Sequence, residues 1–221
     1  MKKIILLSLS LLLLSSCSSK KKPVKEEITQ KEPTKEEPKK EIINTIQTLS
    51  PSEMELKRYL KLYLSQLKSL DADSIISMTY PKLFRATSKY LYKGSIFTMA
   101  NSSNVNIISF DTSISKIGKI QSFSNGNFTN IAYTSVILIQ FLNPDLYNTE
   151  ISLNALHSTL AKKYGQNNIY VDKEQRTIRI TKHEKLLAIQ ERPYNWKFLG
   201  DNPAYRKLYP QFLPYDILNQ I

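Results

Sequence analysis

From residue 50 onward the apolar positions recur first at helical spacing and then in alternation. Leu56, Leu60, Tyr63, Leu67 and Leu70 follow one another at intervals of four, three, four and three. That is one face of an amphipathic helix. Ser50-Pro51-Ser52-Glu53 marks its start: Ser50 can cap, Pro51 suits the first helical position, and Glu53 completes a capping box. Asp71 and Asp73 interrupt the pattern. Two residues apart, they do not share a helix face, and they read as caps for a short second helix through Ile75, Ile76 and Met78. Tyr80-Pro81 ends it, because proline disfavours helix in the residue before it. Pro81 then opens a third predicted helix through Leu83, Phe84, Tyr90, Leu91, Phe97 and Met99.

Near residue 104 the texture changes. Val105–Phe110, Ile114–Phe123 and Phe128–Phe141 are rich in β-branched and aromatic residues and predict strands. Asp111, in Phe110-Asp111-Thr112-Ser113, reads as a turn residue between the first two. Ser124-Asn125-Gly126-Asn127 carries the Asn-Gly signal of a tight hairpin. In the long strand after it, Ile131, Tyr133, Ile137, Ile139 and Phe141 share one face, and Val136 and Leu138 the other, so its middle is expected to be covered on both sides. Leu153, Leu156, Leu160 and Tyr164 predict an inserted helix that stops at Gly165. Strands are predicted at Ile169–Val171, Thr177–Thr181 and Leu186–Glu191, with a last one beginning at Trp196 and Phe198. Thr181-Lys182-His183-Glu184-Lys185 reads as a polar hairpin turn between two of them. The proline-punctuated tail, with Leu208, Phe212, Leu213, Ile217 and Leu218, is expected to pack on the body.

Helices first, then mostly antiparallel strands with one inserted helix, predict an α+β fold for residues 46–221. The segments DADSIISMTYPKLF (71–84), Ser88-Lys89, NWKFLGDN (195–202) and LPYDIL (213–218) are similar to uncharacterised secreted Gram-negative proteins of the NTF2-like fold. The resemblance implies a cone, with N-terminal helices packed on a curved sheet. It implies no reaction, since NTF2-like proteins include enzymes, binding modules and assembly scaffolds.

The other end of the chain carries an address. Lys2 and Lys3 precede an apolar run from Ile4 to Leu14, and Ser15 and Ser16 follow, as in a secretory signal peptide over residues 1–16. The run is too short to span a bilayer, which takes about 20 apolar residues. Leu14-Ser15-Ser16-Cys17 resembles the lipobox of bacterial lipoproteins. That resemblance implies cleavage before Cys17 and acylation of Cys17 with two or three chains, enough for stable anchoring. Ser18 after the cysteine is compatible, by the same resemblance, with outer-membrane sorting facing the periplasm. Residues 17–45 are expected to form a tether. Lysine, glutamate and proline dominate 18–41 and aromatics are absent, so this stretch cannot bury enough surface to fold. Extended, it would reach roughly 70–80 Å.

Composition then limits the chemistry. A single cysteine among 221 residues allows no internal disulfide and no thiolate zinc site. His157 and His183 are the only histidines; the first reads as a helix residue and the second as solvated. HExxH, GxSxG, GxGxxG and Walker patterns do not occur, and five glycines leave little for a phosphate loop. No cofactor is therefore expected. The formal charge is +12, which removal of Lys2 and Lys3 lowers to +10; the 18–41 segment carries +2 of that, leaving about +8 on the domain. An exported basic domain rarely meets nucleic acid, so the expected partners are the lipid bilayer through Cys17 and an envelope protein, an anionic glycan or a lipid headgroup. Thirteen tyrosines are many. Tyr80, Tyr133, Tyr170 and Trp196 are candidate binding positions in the cone or at its rim, and the same aromatics serve equally as core. No catalytic residue is assigned. A non-catalytic binding or assembly module heads the readings. A cone-pocket enzyme of isomerase or hydrolase type, using Asp111 or Tyr133, and a carrier of a hydrophobic ligand remain open beside it.

Overall fold

A computed structural model describes residues 50–143, 147–201 and 206–221. Cys17, the signal segment and the tether lie outside the described residues. The first helix, α1 (Pro51–Ser69), begins with the expected capping box: the Ser50 amide donates to Glu53 Oε2 at 2.8 Å and the Glu53 amide to Ser50 Oγ at 3.3 Å. Leu70 closes it in the left-handed conformation. Asp71 caps α2 (Ala72–Met78) by accepting from the Asp73 and Ser74 amides. The single helix expected after Pro81 is broken. Pro81–Arg85 is a short 3₁₀ turn, and α3 (Lys89–Ala100) starts afresh, with Ser88 Oγ accepting from the Leu91 amide. A serine able to cap offers the backbone a new helix start, which is why the run splits there.

The sheet has six strands: β1 (Val105–Ile117), β2 (Gln121–Phe123), β3 (Gly126–Phe141), β4 (Ile169–Asp172), β5 (Thr177–Glu191) and β6 (Lys197–Gly200). Its order is β1-β3-β5-β4, with β2 also on β3 and β6 also on β5, and every strand pairing is antiparallel. The inserted helix, α4 (Glu150–Tyr164), stops at Gly165, whose amide returns to the Ala161 carbonyl. The α+β expectation holds. Two turns do not exist. Asp111 is in mid-strand in a continuous β1, its carboxylate 2.8 Å from Lys68 Nζ at the end of α1. β5 likewise runs unbroken through Thr181–Lys185, so the expected hairpin turn is strand.

Register fixes which side chains face the helices. Along β3 and β5 the pairs Ile139–Ile178, Ile137–Ile180, Ser135–Lys182, Tyr133–Glu184 and Ile131–Leu186 stand side by side. The two ends of this row pack against α4 and against α1, α2 and β6 respectively. The opposite face is covered at one end only. There Phe128, Leu187 and Ile189 meet Tyr80, Leu83 and the C-terminal residues Tyr209, Phe212, Leu213 and Ile217, the last of these in α5 (Tyr215–Leu218). The tail is packed, as its apolar residues foretold. Val136 and Leu138 on that face are half-buried, so β3 is fully covered on one side and partly on the other.

Candidate functional site

Between the helices and the middle of the sheet lies a cavity of about 150 Å³. Leu67 of α1, Leu70 just after it, Ile75 of α2, and Ile96 and Met99 of α3 form its apolar wall, with Phe110 and Leu186 from the sheet. Tyr63, Tyr92 and Tyr133 bring three phenols to it, and Lys182 and Glu184 bring two charges. The helical share is set by simple spacing. Tyr92, Ser95, Ile96 and Met99 recur at three, one and three residues and so turn one face of α3 to the cavity.

Lys182 and Glu184 are the unexpected members. They alternate with exposed His183 and Lys185, so strand geometry alone sends both inward. Each side chain is 3% exposed, and the Lys182 ammonium is paired with Glu184 Oε1. Ser135 Oγ donates to Glu184 Oε2 at 2.8 Å, and the Tyr133 phenol also hydrogen-bonds this carboxylate. Buried charges are tolerated when paired and hydrogen-bonded in this way. Tyr164 of α4 is a further neighbour: Lys182 Nζ lies 6.0 Å and Lys163 Nζ 5.3 Å from its ring centroid. Burial, and then the nearby Lys182 charge, hold Lys163 below the ordinary lysine range. Lys163 and Tyr164 stand outside the cavity lining, where the charged groups are the paired Lys182 and Glu184.

The phenols are tuned away from ionisation. Burial pushes Tyr63 well above the usual tyrosine range, with smaller contributions from Tyr92 and Glu184. Burial does the same to Tyr133, followed by the Glu184 charge. Both therefore stay protonated and can donate hydrogen bonds; neither is suited to act as a base.

Of the four candidate binding positions Tyr80, Tyr133, Tyr170 and Trp196, only Tyr133 lines this cavity. Tyr80 is buried on the other face of the sheet, its hydroxyl donating to Glu191 Oε2 at 3.0 Å. Trp196 is fully buried among α1 and sheet residues, and its indole N–H finds no partner among the described residues. Tyr170 is on β4, exposed, under the Arg179 guanidinium at 5.4 Å. With Leu153, His157 and Lys173 it lines a second cleft, of about 270 Å³, between α4 and β4. Asp111 lies outside the cavity, on the exposed edge strand. The segments that carried the fold resemblance do meet in space: the Tyr80 amide donates to the Phe198 carbonyl at 2.9 Å, and Lys197 Nζ to the Ser77 carbonyl at 2.6 Å. Among the described residues no cluster of three or more His, Cys, Asp or Glu side chains is placed to hold a metal, and no helix is long and apolar enough to cross a membrane. The sequence matches no family model and no curated protein.

Proposed function

We propose that the chain is a membrane-anchored envelope lipoprotein whose NTF2-like domain is a non-catalytic binding module. Its ligand is a small apolar molecule with one polar end, held in the cavity between α1, α3 and the sheet. The observation that carries the reading is the cavity's lining: an apolar wall, three phenols, and the buried Lys182–Glu184 pair at the sheet. Ligand sites combine a mostly apolar surface with a few placed polar groups in this way. An apolar cavity of this size accommodates a single ring or a short chain, since a cavity of about 150 Å³ takes up benzene. The phenols of Tyr63 and Tyr133, held protonated, are donors for an oxygen at the polar end. The N-terminal signal, the lipobox-like Leu14-Ser15-Ser16-Cys17 and the tether composition support the anchored half of the proposal. The N-terminal helices and α4 on one face of an antiparallel sheet support the NTF2-like half.

Lys182→Met with Glu184→Leu tests the binding role without the penalty of an orphaned charge. Replacing a buried pair by apolar residues of similar volume is often neutral or stabilising. The double variant is expected to unfold no earlier than the parent and to lose the ligand that native mass spectrometry detects on parent protein released gently from envelopes. A double variant that keeps the same bound mass, or a parent that carries none, removes the proposal.

The cone-pocket enzyme keeps one specific observation in its favour, the buried carboxylate of Glu184 beside two phenols. Its oxygens are already taken by Lys182, Ser135 and Tyr133, and the phenols are held protonated, which favours holding a ligand over proton transfer.

A further inference from the structure

Helix α3 is apolar on both sides, and only one side is covered. Its inner face, Tyr92, Ser95, Ile96 and Met99, looks into the cavity. Its outer face carries Tyr90, Leu91 and Phe97, which are 82%, 67% and 62% exposed. These three fall within a third of a turn of one another, together with Gly94. A helix that is hydrophobic all round normally lies within a core. Single exposed apolar residues are ordinary, but three large ones on one helix face mark a surface that meets something.

The charge around them says what. Between Asp73 and Asp111 the sequence has no Asp or Glu, while Lys82, Arg85, Lys89 and Lys93 are all cationic. Lys82 is turned to Glu191 and Lys93 to Asp73, and Arg85 and Lys89 stand exposed at the start of the helix. Lys93 is offset by Asp73, which leaves Arg85 and Lys89 to supply charge beside the apolar face. Such a face is complementary to an anionic lipid surface, where rings and leucine enter the headgroup boundary and the cations meet phosphate. We propose that the outer face of α3 docks on an anionic bilayer through Tyr90, Leu91 and Phe97. This is a contact independent of Cys17 acylation. It also sets the outer wall of the cavity against the phase from which a small apolar molecule would come.

The test uses the chain from residue 17 onward with Cys17→Ser, which lacks acyl groups and keeps tether and domain whole. Co-sedimentation is measured with vesicles of phosphatidylethanolamine containing phosphatidylglycerol, and with vesicles of phosphatidylcholine alone. Binding to the anionic vesicles, weakened by salt and by Lys89→Glu, is expected. Leu91→Ser with Phe97→Ser should lower that affinity about tenfold or more, the effect of keeping two large apolar side chains in water. The thermal midpoint should not fall, because both side chains are already exposed. Equal binding of parent and Leu91→Ser/Phe97→Ser would show that the tether lysines hold the vesicles and would overturn the proposal. So would equal binding to phosphatidylcholine. A parent that sediments as a dimer, becomes monomeric on Phe97→Ser and binds no vesicles would also overturn it, assigning the face to self-association.

Discussion

Glu191, the last residue of β5, receives three donors on one carboxylate: Lys82 Nζ, the Tyr80 hydroxyl and Asn125 Nδ2. Burial by itself would raise its proton affinity. The bond from Lys82, then those from Asn125 and Tyr80, outweigh burial and hold the carboxyl below the ordinary glutamate range. A carboxylate depressed in the folded state stabilises the fold above its unfolded value, about 4.3, and that contribution is lost as pH falls through the folded value. Glu191→Gln is therefore expected to cost about 2 kcal/mol near neutral pH, the scale of hydrogen bonds to a charged group. The difference from the parent should shrink steadily below about pH 4. Urea unfolding of both chains across that range checks it, and a difference independent of pH would contradict the assigned network. Glu53, Asp71 and Glu150 are depressed too, but they are common to both chains and cancel. Little of this was visible residue by residue. Tyr80-Pro81 reads as a helix end, and α2 does stop just before it, at Met78. That Tyr80 and Lys82 both reach a carboxylate more than a hundred residues away follows only from the sheet register.

At the scale of elements, the helix caps and the two-residue alternation were legible, and the errors concentrate where polar residues lie inside a strand. Thr181-Lys182-His183-Glu184-Lys185 contains no Gly, Pro, Asn or Asp. Ile178, Ile180, Leu186 and Ala188 keep the same parity on either side of it. That unbroken parity was the signal for one long strand, and it would have placed Lys182 and Glu184 inward. Charge predicts solvent exposure, and the paired burial that reverses it is a tertiary fact. The hairpin shows the converse. Asn125-Gly126 marked the right place, but the two loop residues are Ser124 and Asn125, and Gly126 already pairs with Phe123 and Glu191. The glycine is needed for room: a Cβ there would stand 1.8 Å from the Gln190 carbonyl oxygen. Gly126→Ala must push β3 and β5 apart where both are held by neighbours, at a cost of about 3 kcal/mol. Gly94→Ala is the control, since a Cβ on Gly94 meets nothing within 4 Å and alanine favours the helix by up to about 1 kcal/mol. Denaturant midpoints moving in opposite directions are expected. A Gly126→Ala midpoint equal to the parent's would mean that the two strands are less tightly apposed there.

For the whole molecule, the proposals put two features at the membrane, and they are separable. One is chemical, the thiol of Cys17 in Leu14-Ser15-Ser16-Cys17, the only cysteine of the chain. The other is the face of α3, forty residues into the folded part, where Tyr90, Leu91 and Phe97 stand in water. Two or three acyl chains at Cys17 would anchor the chain stably, whereas a helix face with a few cations binds reversibly and yields to salt. Both lie on one chain, so under the proposal a face of modest affinity would act at high local concentration once the anchor is in place. Cys17→Ala divides the contributions. Full-length parent expressed in a Gram-negative host is expected to incorporate radiolabelled palmitate and to stay with membranes through a high-salt wash. Cys17→Ala should carry no label and leave the membrane in high salt while remaining partly bound in low salt. Cys17→Ala combined with Leu91→Ser and Phe97→Ser should be released in both. Label persisting on Cys17→Ala would refute acylation at this residue. Complete release of Cys17→Ala in low salt would leave the anchor intact and refute the second contact, so each half of the proposal fails on its own measurement.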